Sequence, residues 1–423
     1  MKRLAVFISV ICLMLCHVSA ETLYTQRVSA PGAHHPGYSS FIDTFPHLVF
    51  NSDNTWFNTT DEFVSALKLS NPPFDLFSLD GYYSRERLMS EEFCADLSQS
   101  KVIGDTLGRM WPAIVDAATK DGRIYAVPES ILLSGFGTCE DAWQAAGLSN
   151  IQVPASYMEL LAFLEQWVER IKQAPEPKIR ISNMIDESLY NRQSYINYLL
   201  PVLLDCYTLP MLYEGRMPDF HTEEFRALLE RTVNVGLALH EAEPRAGEGN
   251  MQLFQNELMG FGIIGIKDGY SHAMPLRISA DQPALYKAGI RMLCMGAGSG
   301  HQELAAAYLE WAASHMHPYA AAYGFVDSQP LMRENLEEDI ADQKQRIGKT
   351  ASRLSQESLS GSKRRELEEQ LERQNRVLDT MQTEGWKYLI SPQWLSEYKS
   401  IAPNLFFPRS GPLVMFSAEG RAM

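Results

Sequence analysis

The chain has 423 residues, 45% of them hydrophobic and 21% charged, and carries a formal net charge of −15. That is more chain than one hydrophobic core usually serves, so two domains are expected. The acidic excess excludes nucleic acid and anionic membrane surfaces as natural partners.

The first twenty residues read as a secretory leader: Lys2 and Arg3, an apolar run from Leu4 to Leu15, then Val18-Ser19-Ala20 as the cleavage site. The run falls short of the roughly 20 residues that span a bilayer. An acylated Cys16 is the rival reading, but bulky Leu15 stands where a lipoprotein site needs a small residue. Export leaves a mature chain with a net charge of about −17 and four cysteines, Cys94, Cys139, Cys206 and Cys294. None forms the close pairs of a metal site, and in an oxidising compartment they allow up to two disulfides of unspecified pairing.

From Glu21 to Val127, short apolar runs alternate with amphipathic stretches, the pattern of a mostly parallel sheet flanked by helices. Leu48-Val49-Phe50 and Phe74-Asp75-Leu76-Phe77 predict strands. Between them Thr59 to Glu62 forms a capping box ahead of a stripe of Phe63, Ala66 and Leu67. Asp121-Gly122 predicts a turn into a strand over Ile124 to Val127, which Pro128 ends because it cannot donate to a ladder. Ser156 and Glu159 then cap a helix that buries Leu160, Leu161, Leu164, Trp167 and Val168. Residues 179–182 predict a strand, Tyr195 to Leu204 and Phe225 to Leu239 helices, Met259 to Ile266 a buried strand and Ile290 to Met295 an apolar run. Ser299 with Gln302 predicts a further capping box ahead of Leu304, Ala307, Tyr308 and Trp311.

Residues 333–385 differ. Leu336, Ile340, Ile347 and Leu354 recur at spacings of four or seven, Ser358 to Ser362 supply a turn, and Leu367, Leu371, Val377, Leu378 and Met381 resume the stripe among dense mixed charge. The pattern predicts an antiparallel helical hairpin of coiled-coil type, a solvated arm or a docking arm for another protein.

Several phrases together resemble the extracellular solute-binding proteins of ABC transporters, in the branch that mostly carries sugars. Phe41-Ile42-Asp43-Thr44-Phe45-Pro46-His47-Leu48-Val49 is similar to the family's opening helix and strand, and Pro73-Phe74-Asp75-Leu76-Phe77 to its "P-D-V-F" strand. Ala95-Asp96-Leu97-Ser98 follows in the family's order. Asp121-Gly122-Arg123-Ile124-Tyr125-Ala126-Val127-Pro128 resembles "D-G-K-x-Y-A-V-P". Ala146-Gly147-Leu148, with Val153-Pro154-Ala155-Ser156-Tyr157-Met158-Glu159-Leu160, resembles the phrase that comes next. The resemblance runs over roughly residues 38–330 and departs at the hairpin, which reads as an insertion. The chain also stops soon after Phe406-Phe407-Pro408, where members carry further helices, so a shortened second lobe or an incomplete sequence is expected.

The resemblance implies an α/β, two-lobed periplasmic-binding-protein-like fold of type II, with the helical hairpin inserted. Residues 1–20 would be the signal peptide, 21–130 the first part of lobe 1 and 131–278 the first part of lobe 2. Residues 279–330 would return to lobe 1, 331–386 form the hairpin and 387–423 complete lobe 2. A small-molecule solute, most simply a sugar, would be gripped between the lobes and favour their closure. The closed form would be read by two ABC permease transmembrane subunits coupled to a cytoplasmic ATPase. With no lipobox, the protein would be a soluble periplasmic or secreted monomer, without cofactor, metal or covalent chemistry.

Open α/β sheets bind ligands beyond the carboxyl ends of their strands, which directs attention to the loops that follow the strands. Asp80, Tyr82 and Tyr83 follow one strand, where the carboxylate can accept hydroxyl hydrogen bonds and a tyrosine ring can cover the C–H face of a sugar. Trp111 and Glu129 are further candidates, and from the second lobe Asn183, Asp268 and Tyr270. Trp143, Trp167 and Trp311 lie on helical stripes and read as core. His34 and His35 lack a third ligand at a useful spacing and read as a solvated loop. A secreted hydrolase is the rival from another class. Gly296-Ala297-Gly298-Ser299-Gly300 lacks the flanking glycines of a nucleophile elbow, and Ser299 reads instead as a helix cap. A sensor or interaction protein that docks a partner through the hairpin is the other alternative.

Overall fold

The structure is a computed structural model that describes residues 21–33, 35–80, 83–90, 92–133, 136–173, 179–181, 193–243, 251–256, 270–355, 360–383 and 385–408. The leader at 1–20 and the strand expected over Met259 to Ile266 lie outside them, as do residues 356–359 at the hairpin turn. Elements are numbered along the chain. The first stretch contains β1 (Glu21–Gln26), α1 (Tyr38–Thr44), β2 (Leu48–Asp53), α2 (Thr60–Leu69), β3 (Leu76–Leu79), α3 (Arg85–Leu88), α4 (Lys101–Leu107) and α5 (Pro112–Ala118). Then come β4 (Thr119–Lys120), β5 (Arg123–Ile124), β6 (Val127–Leu133), β7 (Phe136–Cys139), α6 (Glu140–Ala145), α7 (Tyr157–Gln173) and β8 (Ile179–Arg180). The middle holds α8 (Ser194–Tyr213), α9 (Glu223–Ala242), β9 (Met251–Gln252), β10 (Phe254–Asn256), β11 (Tyr270–Met274), β12 (Tyr286–Met295), α10 (Gln302–Ser314) and α11 (Pro318–Gly324). Last are β13 (Leu331–Met332), α12 (Leu336–Leu354), α13 (Gly361–Met381), β14 (Tyr388–Ile390), α14 (Pro392–Ile401) and β15 (Leu405–Phe406).

These elements form two compact α/β units, each discontinuous in sequence. Among the described residues, unit 1 takes those of 21–132, 288–324 and 406–408, and unit 2 those of 133–287 and 325–405. Phe406, Phe407 and Pro408 thus group with unit 1, whereas 387–423 is expected to complete lobe 2. The physical reason is Arg85, buried in unit 1, whose guanidinium donates to the carbonyls of Ala117, Phe407 and Pro408.

In unit 1 the sheet order is β15-β12-β3-β1-β2, with β6 pairing β12 beside that path. β1 runs parallel to β2 and to β3, and β12 runs antiparallel to β3. The predicted N-cap of α2 forms, with Glu62 N donating to Thr59 Oγ1 at 3.2 Å, while the Glu62 carboxylate accepts from Asn58 N at 2.8 Å, one residue before the cap, in place of Thr59 N. The Asp121-Gly122 turn also forms, with both residues at positive φ (52° and 77°), the requirement of a tight turn between β4 and β5. Pro128 does not end a strand, however. It is the second residue of β6, near a strand start where a missing donor is tolerated.

The two main segments of unit 1 are joined by a buried carboxylate. Asp75, 1% exposed, accepts from Tyr24 N at 2.8 Å and from Ser299 Oγ at 2.7 Å, and lies 3.1 Å from His301 Nδ1. Ser299 is therefore not the cap of a capping box with Gln302. His301 is the N-cap residue of α10 and makes no side-chain cap, while the Ser299 hydroxyl points to Asp75 and accepts from His301 N. Beside it Gly296 has to be glycine, since a Cβ there would sit 2.1 Å from the Phe74 carbonyl oxygen. His34 lies outside the described residues. His35 is half-buried rather than solvated, 5.7 Å from the Trp311 ring and 6.0 Å from His317. Burial, with the neighbouring His315, holds the His35 pKa below its ordinary value, and burial with His35 does the same for His317.

Unit 2 pairs a three-stranded sheet, β10-β7-β11, with α7, α8 and α9. Ser156 caps α7 through Glu159 N at 3.3 Å, and the Glu159 carboxylate accepts from Ala155 N at 2.8 Å. Leu160, Leu161, Leu164, Trp167 and Val168 are buried, as the stripe predicts. A second buried carboxylate, Glu243, accepts from Trp167 Nε1 at 3.1 Å, from Ile181 N at 2.9 Å and from the Tyr195 hydroxyl. The residue sits just past the end of α9 and ties three sequence-distant pieces to it.

The helical hairpin is also present. α12 and α13 pack together, with the Gln343 amide donating to the Gln374 carbonyl at 2.8 Å. Its base is a neck of β13 and β14, closed where Arg333 lies 4.1 Å over the Trp386 ring and donates to the Trp386 carbonyl. Most side chains on both helices are exposed, with Gln343, Thr350, Leu367 and Met381 buried. No described helix is long and apolar enough to cross a membrane.

Two outcomes follow. Asp75→Ala and Glu243→Ala each strand several buried donors, so each lowers stability by about 3 kcal/mol, read as a fall in the urea midpoint. For His35 and His317 the unfolded chain binds more protons than the folded one near their ordinary pKa, so stability is lost as pH falls from about 6.5 through their lowered values. The thermal midpoint is expected to drop between pH 7 and pH 5, with a smaller drop in a His35→Asn/His317→Asn variant.

Candidate functional site

Because β1, β2 and β3 run in parallel, their carboxyl ends share one edge of the unit 1 sheet. The antiparallel β12 brings its earlier residues to that edge, with Met292 opposite Leu79. Each strand delivers a polar residue there: Arg27 follows β1, Asp80 follows β3 and Arg291 comes from β12, while Glu129 comes from β6. Trp56 follows β2 by a short loop in which Thr55 N donates to Asp53.

Arg27 organises the edge. Its backbone takes a left-handed φ of 57°, a conformation that branched or bulky residues rarely adopt, and its N–H donates to the Asp53 carbonyl at 2.8 Å. The side chain donates Nη1 to Asp80 Oδ2 at 2.7 Å, and the guanidinium lies 4.0 Å from the centre of the Trp56 ring. Trp56 remains 48% exposed. Arg291 braces the arrangement by donating Nε to Ser78 Oγ at 2.8 Å and Nη2 to the Arg27 carbonyl at 2.7 Å.

Glu129 Oε2 lies 2.9 Å from Arg291 Nε, an ion pair by proximity, since that N–H is already directed at Ser78. Oε2 is shielded from solvent and accepts no hydrogen bond among the described residues. Burial pushes the Glu129 carboxyl above its ordinary range, opposed by Arg291 and by Arg27. A second such acceptor is Gln26 Oε1 at the end of β1: the Gln26 amide N–H donates to the Thr55 carbonyl at 2.8 Å, while its oxygen has no partner among the described residues. The edge thus carries two ion pairs, Arg27 with Asp80 and Arg291 with Glu129, the Gln26 amide oxygen, which accepts no hydrogen bond among the described residues, and a half-exposed indole ring.

The sequence-derived candidates divide into three groups. Asp80 and Glu129 stand at this edge. Tyr83 and Trp111 are buried. The Tyr83 hydroxyl donates to the Phe57 carbonyl at 3.1 Å and its ring lies 4.6 Å from Phe63, while burial and the Asp80 charge raise its pKa. Trp111 starts α5, with its N–H donating to the Gly324 carbonyl at 3.1 Å. Both rings are enclosed, at 1% exposure for Tyr83 and 9% for Trp111. Tyr82, Asn183 and Asp268 lie outside the described residues, and of Tyr270 the backbone alone is described, at the start of β11 opposite Cys139. Arg27, Trp56, Gln26 and Arg291 were not anticipated. The run Thr22-Leu23-Tyr24-Thr25 alternates like a half-buried strand, and reading β1 there directs attention to the residue just after it.

Unit 2 contains a separate cavity of about 260 Å³, lined by Thr138, Trp143, Ile151, Val153 and His272 among others. Trp143, Trp167 and Trp311 are buried, as their stripes predict. Among the described residues no three His, Cys, Asp or Glu side chains are grouped to hold a metal ion.

No protein-family model matches the chain, and no curated protein matches it in sequence. Among solved structures it is similar to an ABC transporter solute-binding protein of Agrobacterium vitis S4 with bound D-mannitol, at 15% identity and a TM-score of 0.45, covering 70% of this chain and 73% of that one. It is similar to another such protein from Agrobacterium radiobacter K84 in complex with ribitol, at 14% identity and a TM-score of 0.45, over 95% and 98% of the chains. A maltose-bound protein of T. maritima matches at 16% identity and a TM-score of 0.44, over 90% and 100%. At this level of likeness the function has to be argued from the site itself.

Asp80→Ala leaves Arg27 without its carboxylate in a largely desolvated position, so it is expected to lower stability by about 3 kcal/mol. Asp80→Glu, which keeps the charge, should recover part of that loss in the same urea titration.

Proposed function

We propose that the protein is an extracytoplasmic solute-binding component of an ABC transporter that captures a polyhydroxylated, uncharged solute, a sugar or polyol, at the carboxyl edge of the unit 1 sheet. The observation that carries this reading is the set of acceptors at this edge, Gln26 Oε1, which accepts no hydrogen bond among the described residues, and the Glu129 carboxylate, ion-paired with Arg291, beside the half-exposed Trp56 ring. Hydroxyl groups supply the donors that such acceptors lack, and an indole face covers the C–H side of a sugar ring. The charges at the edge balance, Arg27 against Asp80 and Arg291 against Glu129, which favours a neutral solute over an organic anion or a polyamine. The braced guanidinium of Arg27 holds these groups in place before ligand arrives, so little ordering is needed on binding.

The succession of family-like phrases along the sequence supports the same reading, as does a chain built of two α/β units with returning segments. Under it the leader directs export, the protein works outside the cytoplasm, and its partners are the permease subunits that receive the solute. Binding, orientation and release are the whole task, and no residue is assigned to bond making or breaking.

A panel of mono- and oligosaccharides, polyols, polyamines and amino acids tests this in thermal unfolding. A ligand that binds the native state alone stabilises it by about 2.7 kcal/mol at a hundredfold excess over Kd. A sugar or polyol is expected to raise the midpoint, and Trp56→Ala is expected to weaken its binding at least tenfold in calorimetric titration while retaining the fold. A shift produced by polyamines alone would reject the neutral-solute reading.

A further inference from the structure

Unit 1 contains two buried cysteines that come from the two sides of a long excursion of the chain. Cys94 follows α3, and Cys294 is the penultimate residue of β12, so all of residues 133–287 of unit 2 lie between them in sequence. Both are fully enclosed, at 1% and 0% exposure. Cys94 makes an antiparallel bridge with Gly296, flanked by Ala95 N donating to the Met295 carbonyl and Ala297 N to the Phe93 carbonyl, each at 2.9 Å. Counting back along that pairing sets Cys294 opposite Asp96. Cys94 and Cys294 therefore point to the same face, as diagonal neighbours across the pair. The two thiols are neighbours and both are free: Cys94 is the largest influence on the Cys294 thiol, and Cys94 Sγ donates to the Leu88 carbonyl at 3.2 Å. Cys206, by contrast, is buried in unit 2, and Cys139 belongs to β7 there.

We propose that Cys94 and Cys294 are a disulfide-forming pair, oxidised when the chain folds in an oxidising compartment, and that the bond ties together the two segments from which unit 1 is built. The compartment rests on the proposed export; the choice of partners rests on the strand pairing alone. In the reaction the two S–H bonds break, one S–S bond forms, and two protons and two electrons leave. The electrons reduce an exchangeable disulfide, of the class represented by oxidised glutathione or a thiol–disulfide oxidoreductase, to two thiols. Once buried, the Cys294 thiol is pushed up in pKa by neighbouring Cys94 and by desolvation, which suppresses its reactive thiolate. Oxidation accordingly belongs to the folding chain, before the pair is covered. A cross-link closing so long a loop constrains the unfolded chain strongly, so its stabilising effect is large.

The test uses the full chain, reduced and unfolded, then refolded in a buffer of reduced and oxidised glutathione. Remaining thiols are alkylated in denaturant and the peptides are mapped by mass without reduction. The expected product joins the Cys94 peptide to the Cys294 peptide, two hydrogens lighter than the dithiol, with Cys139 and Cys206 alkylated. Its thermal midpoint should fall by about 5 °C on reduction. In Cys94→Ser, or Cys294→Ser if the first folds poorly, the remaining cysteine of the pair should be alkylated and reduction should no longer shift the midpoint. Refolded protein with both Cys94 and Cys294 alkylated, or with either linked elsewhere, overturns the pairing. The same map made on protein expressed with its leader separates the two claims: a linked pair after refolding but a dithiol in the expressed protein retains the pair and rejects the export.

Discussion

Unit 1 depends on one buried carboxylate. Its sheet is assembled from strands that the chain visits before and after the whole of residues 133–287, and Asp75 is the group that holds the two visits together. One side chain takes a backbone donor from β1 and the hydroxyl of Ser299 from the far segment, beside the imidazole of His301. A carboxylate so enclosed is tolerable only because its lone pairs are taken. Gly296 makes the same junction possible sterically by letting two backbones approach where no side chain fits. With that junction made, β12 lies against β3 in a fixed register, and the register is what puts Arg291 beside Ser78 and Arg27.

The site follows from this geometry rather than from any local motif. Parallel strands end at a common edge, and an antiparallel neighbour returns to it, so residues from widely separated positions converge without being near in sequence. Arg27 takes an unfavourable backbone conformation there and satisfies it with a hydrogen bond to the Asp53 carbonyl, an ion pair to Asp80 and a ring contact with Trp56. Such over-determined strain is the usual mark of a functional edge. Gln26 Oε1 and Glu129 Oε2 accept no hydrogen bond there among the described residues, although Glu129 is ion-paired with Arg291.

Elements governed by local chemistry were legible in the sequence. The caps at Thr59 and Ser156, the buried stripe of α7, the Asp121-Gly122 turn and the heptad-like hairpin depend on residues within a few positions of one another, and they form as their spacing predicts. Where long-range partners compete, the reading failed. Ser299 looked like a cap because Gln302 stands three residues on, but Asp75, more than two hundred residues earlier, takes its hydroxyl. Pro128 looked like a strand terminator, but β6 begins just before it. Tyr83 and Trp111, read as candidates for the site, are both buried. Asp80 was identifiable from its place after a strand, whereas its partner Arg27 required the pairing of β1 with β3, which no local pattern encodes.

The central claim is that hydroxyl groups of a neutral solute complete the acceptors at the carboxyl edge of unit 1. The most direct measurement is a crystal structure of the chain with the sugar or polyol that stabilises it most. The account predicts ligand hydroxyls within hydrogen-bonding distance of Glu129 Oε2 and Gln26 Oε1, and a ligand C–H face against Trp56. Ligand seated away from these residues, as in the unit 2 cavity beside Thr138 and His272, would contradict it.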